Sequence, residues 1–362
     1  MVGNEPRVSV ITTVHNGERF LAEALDSILG QTFADFEYLV VDDLSTDGSL
    51  GMLQRYAERD DRIVVLRTEA QINHSNAINT ALKRAQGEFV AILDADDVAQ
   101  PSRLERQLAF MEAKPEVGAA GTYAQQIDEE GHVGQIMFYP ATCEMARWGI
   151  LFATPVLHSA AMIRRSLLLE IGGYSVQWRY ANDYSLWAEL ITHTGIASLP
   201  EVLVSYRRHS QQTSATNSKA QQGEVWLLIH KMLAERLGLR AHLDDIGTLY
   251  RGVRGIRLEE AGAPTRAGDL LAGIRERYLS VEQPDDEIAC QIDMDCAQRL
   301  FKMAWVHRHS HRAESRRLLE RAKGLDTQIW QRGQTRTMIK RQMERERRRR
   351  EAAANATRAE AD

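Results

Sequence analysis

The apolar stretch that opens AILDADDVAQP, residues 91–101, runs straight into three carboxylates, Asp94, Asp96 and Asp97, and a second acidic pair, Asp42 and Asp43, closes EYLVVDD. Carboxylates crowded at a dry strand end repel one another and raise each other's pKa unless a cation sits among them. Mg²⁺ and Mn²⁺ prefer oxygen ligands and take one or two protein carboxylates, filling the octahedron with water and phosphate oxygens. The acids therefore predict Mn²⁺ or Mg²⁺ and a diphosphate-bearing ligand. The competing reading is a solvated turn whose aspartates cap the next helix, which suits Asp47 in LSTDGSL better than Asp94 or Asp96. Asp183, in YANDYSLWAEL, stands at the start of a helix that places Leu186, Trp187 and Leu190 on one face. An N-cap made by Asn182 or Asp183 and a general base at Asp183 fit that position equally well. The segment after the first apolar strand, HNGERF, contains neither G-x-G-x-x-G nor G-x-x-x-x-G-K-[ST], which weakens dinucleotide and P-loop readings.

The elements that must position these groups alternate. RVSVITTV (7–14) is β-branched and apolar throughout, as a strand buried on both faces should be. In GERFLAEALDSIL, Phe20, Leu21, Ala24, Leu25, Ile28 and Leu29 recur at helical spacing. EYLVVDD follows as a strand, then a helix around Leu50–Tyr56, the strand RIVVLRT, a helix from Ser75 through Ala85, and the strand FVAILDAD. This order predicts an α/β fold with a doubly wound, mostly parallel, Rossmann-like sheet. Ligands of open α/β sheets bind at the carboxyl ends of the strands, so both acidic clusters should share one crevice. Beyond Ser214 the alternation stops, and GEVWLLIHKMLAERLG, DLLAGIRERYL and AQRLFKMAWVHRHSHRAESRRLLERA read as amphipathic helices broken at GAP (262–264) and QPDD (283–286). The expected organisation is an α/β domain over 1–214, divided into a nucleotide half (1–100) and an acceptor half (101–214), an α-helical C-terminal domain over 215–330, and an Arg/Glu-rich tail over 331–362. His307, His309 and His311 alternate across a helix and cannot all face one ion, so a solvated face is expected for them.

A chain of 362 residues with 44% apolar content can bury one α/β core and still leave a smaller second region. A net charge of -5 gives no global argument for nucleic acid as a partner. Three unclustered cysteines, Cys143, Cys290 and Cys296, predict a reducing compartment and supply neither a disulfide framework nor a zinc ligand set. The N-terminus lacks a basic n-region followed by a long apolar stretch, and a cytoplasmic location is expected. The tail IKRQMERERRRREAAANATRAEAD suits a solvated helix or frayed terminus; the sharper reading is peripheral contact with anionic lipid at the inner face of the membrane, where Glu344, Glu346 and Glu351 dilute its charge.

VSVITTVHNGERFLAEALDSILGQTF, EYLVVDDLSTDGS, ALKRAQGEFVAILDADDVAQPSRLERQ and YANDYSLWAEL together resemble the family 2 glycosyltransferases of GT-A fold, over roughly residues 7–212. The resemblance implies a nucleotide sugar lying across the strand ends, with Asp43 and Thr13 holding the base, uracil as the expected one. His15 stands where the family often has Tyr. Asp94 matches the D-x-D residue near the ribose, Asp96 the one that binds the metal, and Asp97 shares either task. Asn79 matches an Asn that ends the family's A-R-N pattern, where Ile78 here replaces the Arg. Asp183 matches the general base of an acidic E-D pair whose Glu is replaced by Asn182. VSYRRHSQQTS resembles the close of the family domain, which brings Arg207 to the diphosphate and His209 to the phosphate or metal. His158 is expected on the acceptor side, or as a satisfied core histidine, and Gly172 and Gly173 form a break that sets Tyr174 and its loop against the sugar.

The expected activity is that of a metal-dependent, inverting glycosyltransferase of hexosyl- or N-acetylhexosaminyl-transferase type. It would use a UDP-linked sugar and a hydroxyl acceptor, on a glycan, lipid-linked or protein molecule, in cell-surface polysaccharide or glycoconjugate synthesis. The chain lacks Q-x-x-R-W, with EMARW (144–148) only a near miss, so limited additions are expected rather than polymerisation. A nucleotidylyltransferase would want a Gly-rich loop with a basic residue after the first strand, which TVHNGERF does not offer. A non-catalytic sugar-nucleotide-binding or scaffold protein is kept open by Ile78 and Asn182.

Overall fold

The computed structural model describes residues 5–70, 73–212, 216–333 and 336. The Arg/Glu-rich part of the tail, with its helical and lipid-contact readings, lies outside them. The chain forms two compact units, Met1–Met232 and Leu233–Asp362, and the division falls inside the helix Ser218–Leu237. Its N-terminal half belongs with the first unit because Gln221 and Glu224 bond to the backbone around Tyr180.

In the first unit the expected alternation is present: β1 Val8–Val14, α1 Glu18–Leu29, β2 Phe36–Asp42, α2 Ser49–Ala57, β3 Ile63–Arg67, α3 His74–Leu82 and β4 Phe89–Ile92. β1 pairs in parallel with β2 and β4, and β2 with β3. The register sets Val14 opposite Asp42, and Ile11 opposite Ile92, so the two acidic clusters emerge at one edge of the sheet. β1 is buried almost along its whole length, and Phe20, Leu21, Ala24, Leu25 and Ile28 of α1 pack in the core. Each of the buried Phe, Leu and Ile side chains contributes roughly 1.5–3 kcal/mol.

The other strands of the unit are β5 Val98–Ala99, β6 Val117–Ile127, β7 Val133–Met137, β8 Met162–Arg164 and β9 Gly195–Arg207. Among the described residues they join the first four in one sheet of order β3-β2-β1-β4-β8-β6-β9-β5, with β7 paired to β6. β8 lies antiparallel between β4 and β6, while β9 runs parallel to β6 and antiparallel to β5. The long β9 thereby brings the chain after Ser205 back beside Asp96 and Asp97.

The second unit is helical. Its helices Leu243–Val253, Ala263–Glu282, Asp286–His307 and Arg312–Leu325 break where the sequence suggested: Gly262 takes φ +81° before Pro264, and Asp285 accepts a hydrogen bond from Ile288 N. His307 corrects the solvated-face expectation. It is fully buried, its Nδ1 donating to Met303 O and its Nε2 accepting from Leu258 N, which fixes a neutral tautomer. No helix among the described residues is long and apolar enough to cross a membrane.

Candidate active site

The loops after β1 and β2 are pinned to each other before any ligand is considered. Asn16 and Leu44 both adopt left-handed backbone, at φ 53° and 58°. Asn16 N donates to Ser45 Oγ, and Asn16 Oδ1 accepts from Thr46 N at 2.8 Å. Asp47 accepts from Glu18 N and Ser49 N, so it ties down the starts of α1 and α2, as its cap reading requires. Within this frame Asp43 accepts from Thr68 Oγ1 at 2.7 Å, and the His15 ring meets the Asp43 carbonyl at 2.7 Å. Thr13 Oγ1 lies 3.1 Å from Nδ1 of His74, at the start of α3.

The acids after β4 take three different environments. Asp94 lies 3.2 Å from Nδ1 of His158, whose Nε2 meets the Tyr174 hydroxyl at 3.1 Å. Burial opposes charge on Asp94, but His158, His74 and Arg103 outweigh it and hold the carboxyl below its usual range. The same exchange raises His158 against its burial, with Asp183 adding to the pull. His74 goes the other way, pushed down to about 4 by burial and by His158. Asp96 accepts from His209 Nε2 at 2.8 Å, yet burial and the neighbouring Asp94 raise its pKa. It therefore presents a carboxylate whose charge is under-compensated.

Asp97 and Arg207 are placed otherwise than the sequence suggested. Asp97 is completely buried, and its Oδ1 accepts from Arg207 N at 2.8 Å, so it fastens β9 beneath the acid cluster rather than facing a metal. Burial, then Asp96 and Asp94, push its pKa well up, and its Oδ2 has no hydrogen-bond partner. Arg207 is 1% exposed and does not offer its guanidinium to a diphosphate. It donates to Asp96 O, Asp128 O, Glu129 O and the Glu23 carboxylate, and stacks 4.6 Å from the Phe20 ring centroid. The arginine is a buried clamp. Its neighbour two residues on, His209, is the group from VSYRRHSQQTS that reaches the acids.

Asn79 uses both ends of its amide on Tyr174, accepting from the backbone N at 2.9 Å and donating to the carbonyl at 2.8 Å. A Cβ at Gly173, already at φ +82°, would lie 2.5 Å from Asn79 Oδ1. Glycine is thus required on two counts, backbone conformation and space. The pair Asn79–Gly173 holds Tyr174, 2% exposed, with its hydroxyl on His158.

Asp183 lies in the first turn of the helix Asn182–His193, whose N-cap is Ala181 with no side-chain cap bond. That removes the N-cap explanation for both Asn182 and Asp183. The backbone entering the helix is held instead by Glu224, whose carboxylate accepts from the backbone N–H groups of Arg179, Tyr180 and Ala181 at 2.8–3.2 Å. Burial outweighs the attraction of His158 and raises the Asp183 pKa, and Asp94 adds to the rise. Leu186, Trp187 and Leu190 are buried, as the helical spacing required.

Three residues escaped the sequence reading. Arg103, in PSRLERQ, is wholly buried, donates to Ile92 O and Ala161 O, and faces Asp97 and Asp94 as their internal counter-charge; burial lowers its pKa to about 10. A charged residue beside a proline turn carries no signal of burial. Glu224, within GEVWLLIHKMLAERLG, and His74, just before the helix expected from Ser75, stand in stretches where no motif singles them out. For Glu224→Ala we expect a loss of about 2 kcal/mol, because three charge-assisted bonds to backbone N–H groups disappear and water replaces part of them. Urea denaturation checks the stability, and transfer kinetics should show kcat falling more than the donor KM rises.

Residues 9–172 match the family described as Glycosyl transferase family 2. An uncharacterized glycosyltransferase of Haemophilus influenzae is 28% identical over 290 residues, covering 77% of this chain and 88% of that one. The O-antigen biosynthesis glycosyltransferase WbnJ of Escherichia coli is 28% identical over 211 residues, 57% and 81% of the respective chains. Among solved structures, S. aureus TarS 1-349 in complex with UDP-GlcNAc superposes with a TM-score of 0.55 at 19% identity, over 90% of this chain and 92% of that one. The mannosyltransferase PcManGT of Pyrobaculum calidifontis, in complex with GDP-Man and Mn²⁺, gives 0.52 at 20% identity, over 91% and 88%. With the strand-end acids, the parallel half-sheet and the match in agreement, this chain is a glycosyltransferase of GT-A fold whose residues 9–172 match glycosyl transferase family 2.

Proposed function

We propose that the protein is a divalent-metal-dependent, inverting glycosyltransferase that takes its sugar from a UDP-linked donor and adds it to a hydroxyl acceptor of a cell-surface polysaccharide. The observation that carries this reading is the under-compensated carboxylate of Asp96 paired to His209, beside Asp94 and within the electrostatic reach of Asp183 through His158. In this reading Asp43, with Thr13 and His15 beside it, receives the base, and Asp94 the ribose. A carboxylate, an imidazole and the donor's diphosphate form a donor set that suits Mn²⁺ or Mg²⁺, so Asp96 and His209 would hold the ion. When bound, such an ion neutralises the charge that gathers on the departing diphosphate.

Asp183 takes the proton from the acceptor hydroxyl as that oxygen attacks the anomeric carbon from the side opposite the diphosphate, which inverts the centre. Its raised pKa makes it a stronger base than a solvated aspartate. His158 orients Asp94 and lends positive charge near Asp183. The Tyr174 hydroxyl bonds the His158 ring, and in this reading Tyr174 and Gly173 stand behind the acceptor side rather than on the sugar.

The similarity to an O-antigen enzyme supports the polysaccharide class, and the fold shared with a UDP-GlcNAc complex and a GDP-Man–Mn²⁺ complex supports a nucleotide sugar with a metal. Incubation with a panel of UDP-, GDP- and TDP-sugars, with and without Mn²⁺, tests it: slow Mn²⁺-dependent release of UDP from one donor is expected. Pyrophosphate-dependent exchange would instead indicate a nucleotidylyltransferase, and binding without turnover a scaffold protein.

A further inference from the structure

One group in the crevice, His74, has no part in the transfer chemistry, yet it completes a second constellation with Asp94 and His158. His74, Asp94 and His158 come from α3, the end of β4 and the short 3-10 turn His158–Ala160, and one ligand atom from each lies within 4.8 Å of the other two. Both histidines are held from behind by a hydroxyl: Thr13 Oγ1 on His74 Nδ1 and Tyr174 OH on His158 Nε2, each at 3.1 Å. That leaves His74 Nε2 and His158 Nδ1 as the nitrogens for a ligand, and His158 Nδ1 already sits 3.2 Å from Asp94 Oδ1. Outer-shell partners that fix tautomer and ring orientation are what metal-ligating histidines ordinarily carry. The rings are 5.7 Å apart between centroids and meet edge to face at 65°.

We propose that His74, Asp94 and His158 form a Zn²⁺ site, separate from Asp96 and His209, whose occupation excludes the donor. Two imidazoles and one carboxylate favour Zn²⁺ over Mg²⁺ or Mn²⁺, and three protein ligands leave a fourth, open position. In a tetrahedral site with bonds of about 2.0–2.1 Å the ligand atoms stand about 3.4 Å apart, so the observed spacing needs only small side-chain rotations to close. Bound Zn²⁺ would occupy the Asp94 carboxylate, which the proposed function assigns to the donor ribose. The exclusion rests on that assignment; the metal site itself does not.

Calorimetric titration of the full chain with ZnCl₂, without Mn²⁺ or donor, should show one equivalent bound. Co²⁺ in its place should give the intense visible absorption of tetrahedral coordination on the unaltered protein, a readout that needs no variant. His74→Ala and His74→Gln should weaken Zn²⁺ by at least about 10-fold, since even an outer-shell loss commonly costs that much, while His209→Ala should leave it unchanged. Weak octahedral Co²⁺ spectra, no Zn²⁺ binding, or Zn²⁺ affinity lost in His209→Ala but kept in both His74 variants would overturn the site. Zn²⁺ bound through His74 with unaltered UDP-sugar affinity would overturn the exclusion alone, and with it the placement of Asp94 at the ribose.

Discussion

Asp183→Asn should lower the transfer rate by roughly 100-fold or more, the usual contribution of a positioned general base. Donor affinity should hardly change. The substitution keeps shape and hydrogen-bonding capacity, and Asp183 Oδ1, which accepts from Tyr184 N at 2.7 Å, can be replaced by the amide oxygen. It removes only the ability to accept a proton. Because the helix Asn182–His193 is capped by Ala181 without a side-chain bond, and the preceding backbone is held by Glu224, it has little reason to destabilise. The pH dependence has a definite sign. A base acts when deprotonated, and burial raises the Asp183 pKa, so transfer should climb with pH along a limb above the ordinary aspartate range. That limb should vanish in the variant. Rates at saturating donor, with UDP affinity and melting temperature as controls, decide it; near-normal transfer would remove Asp183 from the chemistry.

Asp96→Ala should abolish the Mn²⁺-dependent part of UDP binding, a loss of roughly 100-fold or more, or about 2.7 kcal/mol at 25 °C. The metal-free protein should fold as well as before. Its carboxyl is raised by burial and by Asp94, so its ionisation works against the folded state. Stability from Asp96 is fully present at low pH and lost as pH rises through the raised folded pKa. Removing the carboxyl should therefore flatten that fall, which thermal melts across pH without added metal can follow. Calorimetry with UDP and Mn²⁺ checks the binding, and unchanged affinity would put the ion elsewhere.

The strand-end acids, the α/β alternation through β4 and the helical second unit were legible in the sequence because each rests on local periodicity. β1 is apolar on both faces, α1 repeats its apolar residues at helical spacing, and Gly262, Pro264 and Asp285 punctuate the C-terminal helices. A two-sided buried strand must end where its apolar run ends, so the chain's own pattern delivered Asp42, Asp43, Asp94 and Asp96 to one edge. β6 and β8 were not read. VGAAGTYAQQI is rich in small residues, because Gly118 and Gly121 meet Leu167, Thr194, Ser198 and Val156 so closely that a Cβ would collide with them. That constraint comes from neighbours distant in the chain.

What tertiary structure alone decided is which charged groups face the crevice and which are structural beams. Arg207 and His209 stand two residues apart on the return of β9, yet the first is sunk under Phe20, Glu23 and the Asp96 carbonyl while the second reaches the Asp96 carboxylate. Asp96 and Asp97 are adjacent, and only Asp97 is spent on the β9 backbone. A lone sequence shows the residue types; the sign of each pKa shift and the direction of each side chain depend on distant partners, 113 positions away in the Asp96–His209 pair and 184 in the Arg207–Glu23 pair. Burial sets the cost of a charge, and the partners that repay it are brought together only by the folded sheet.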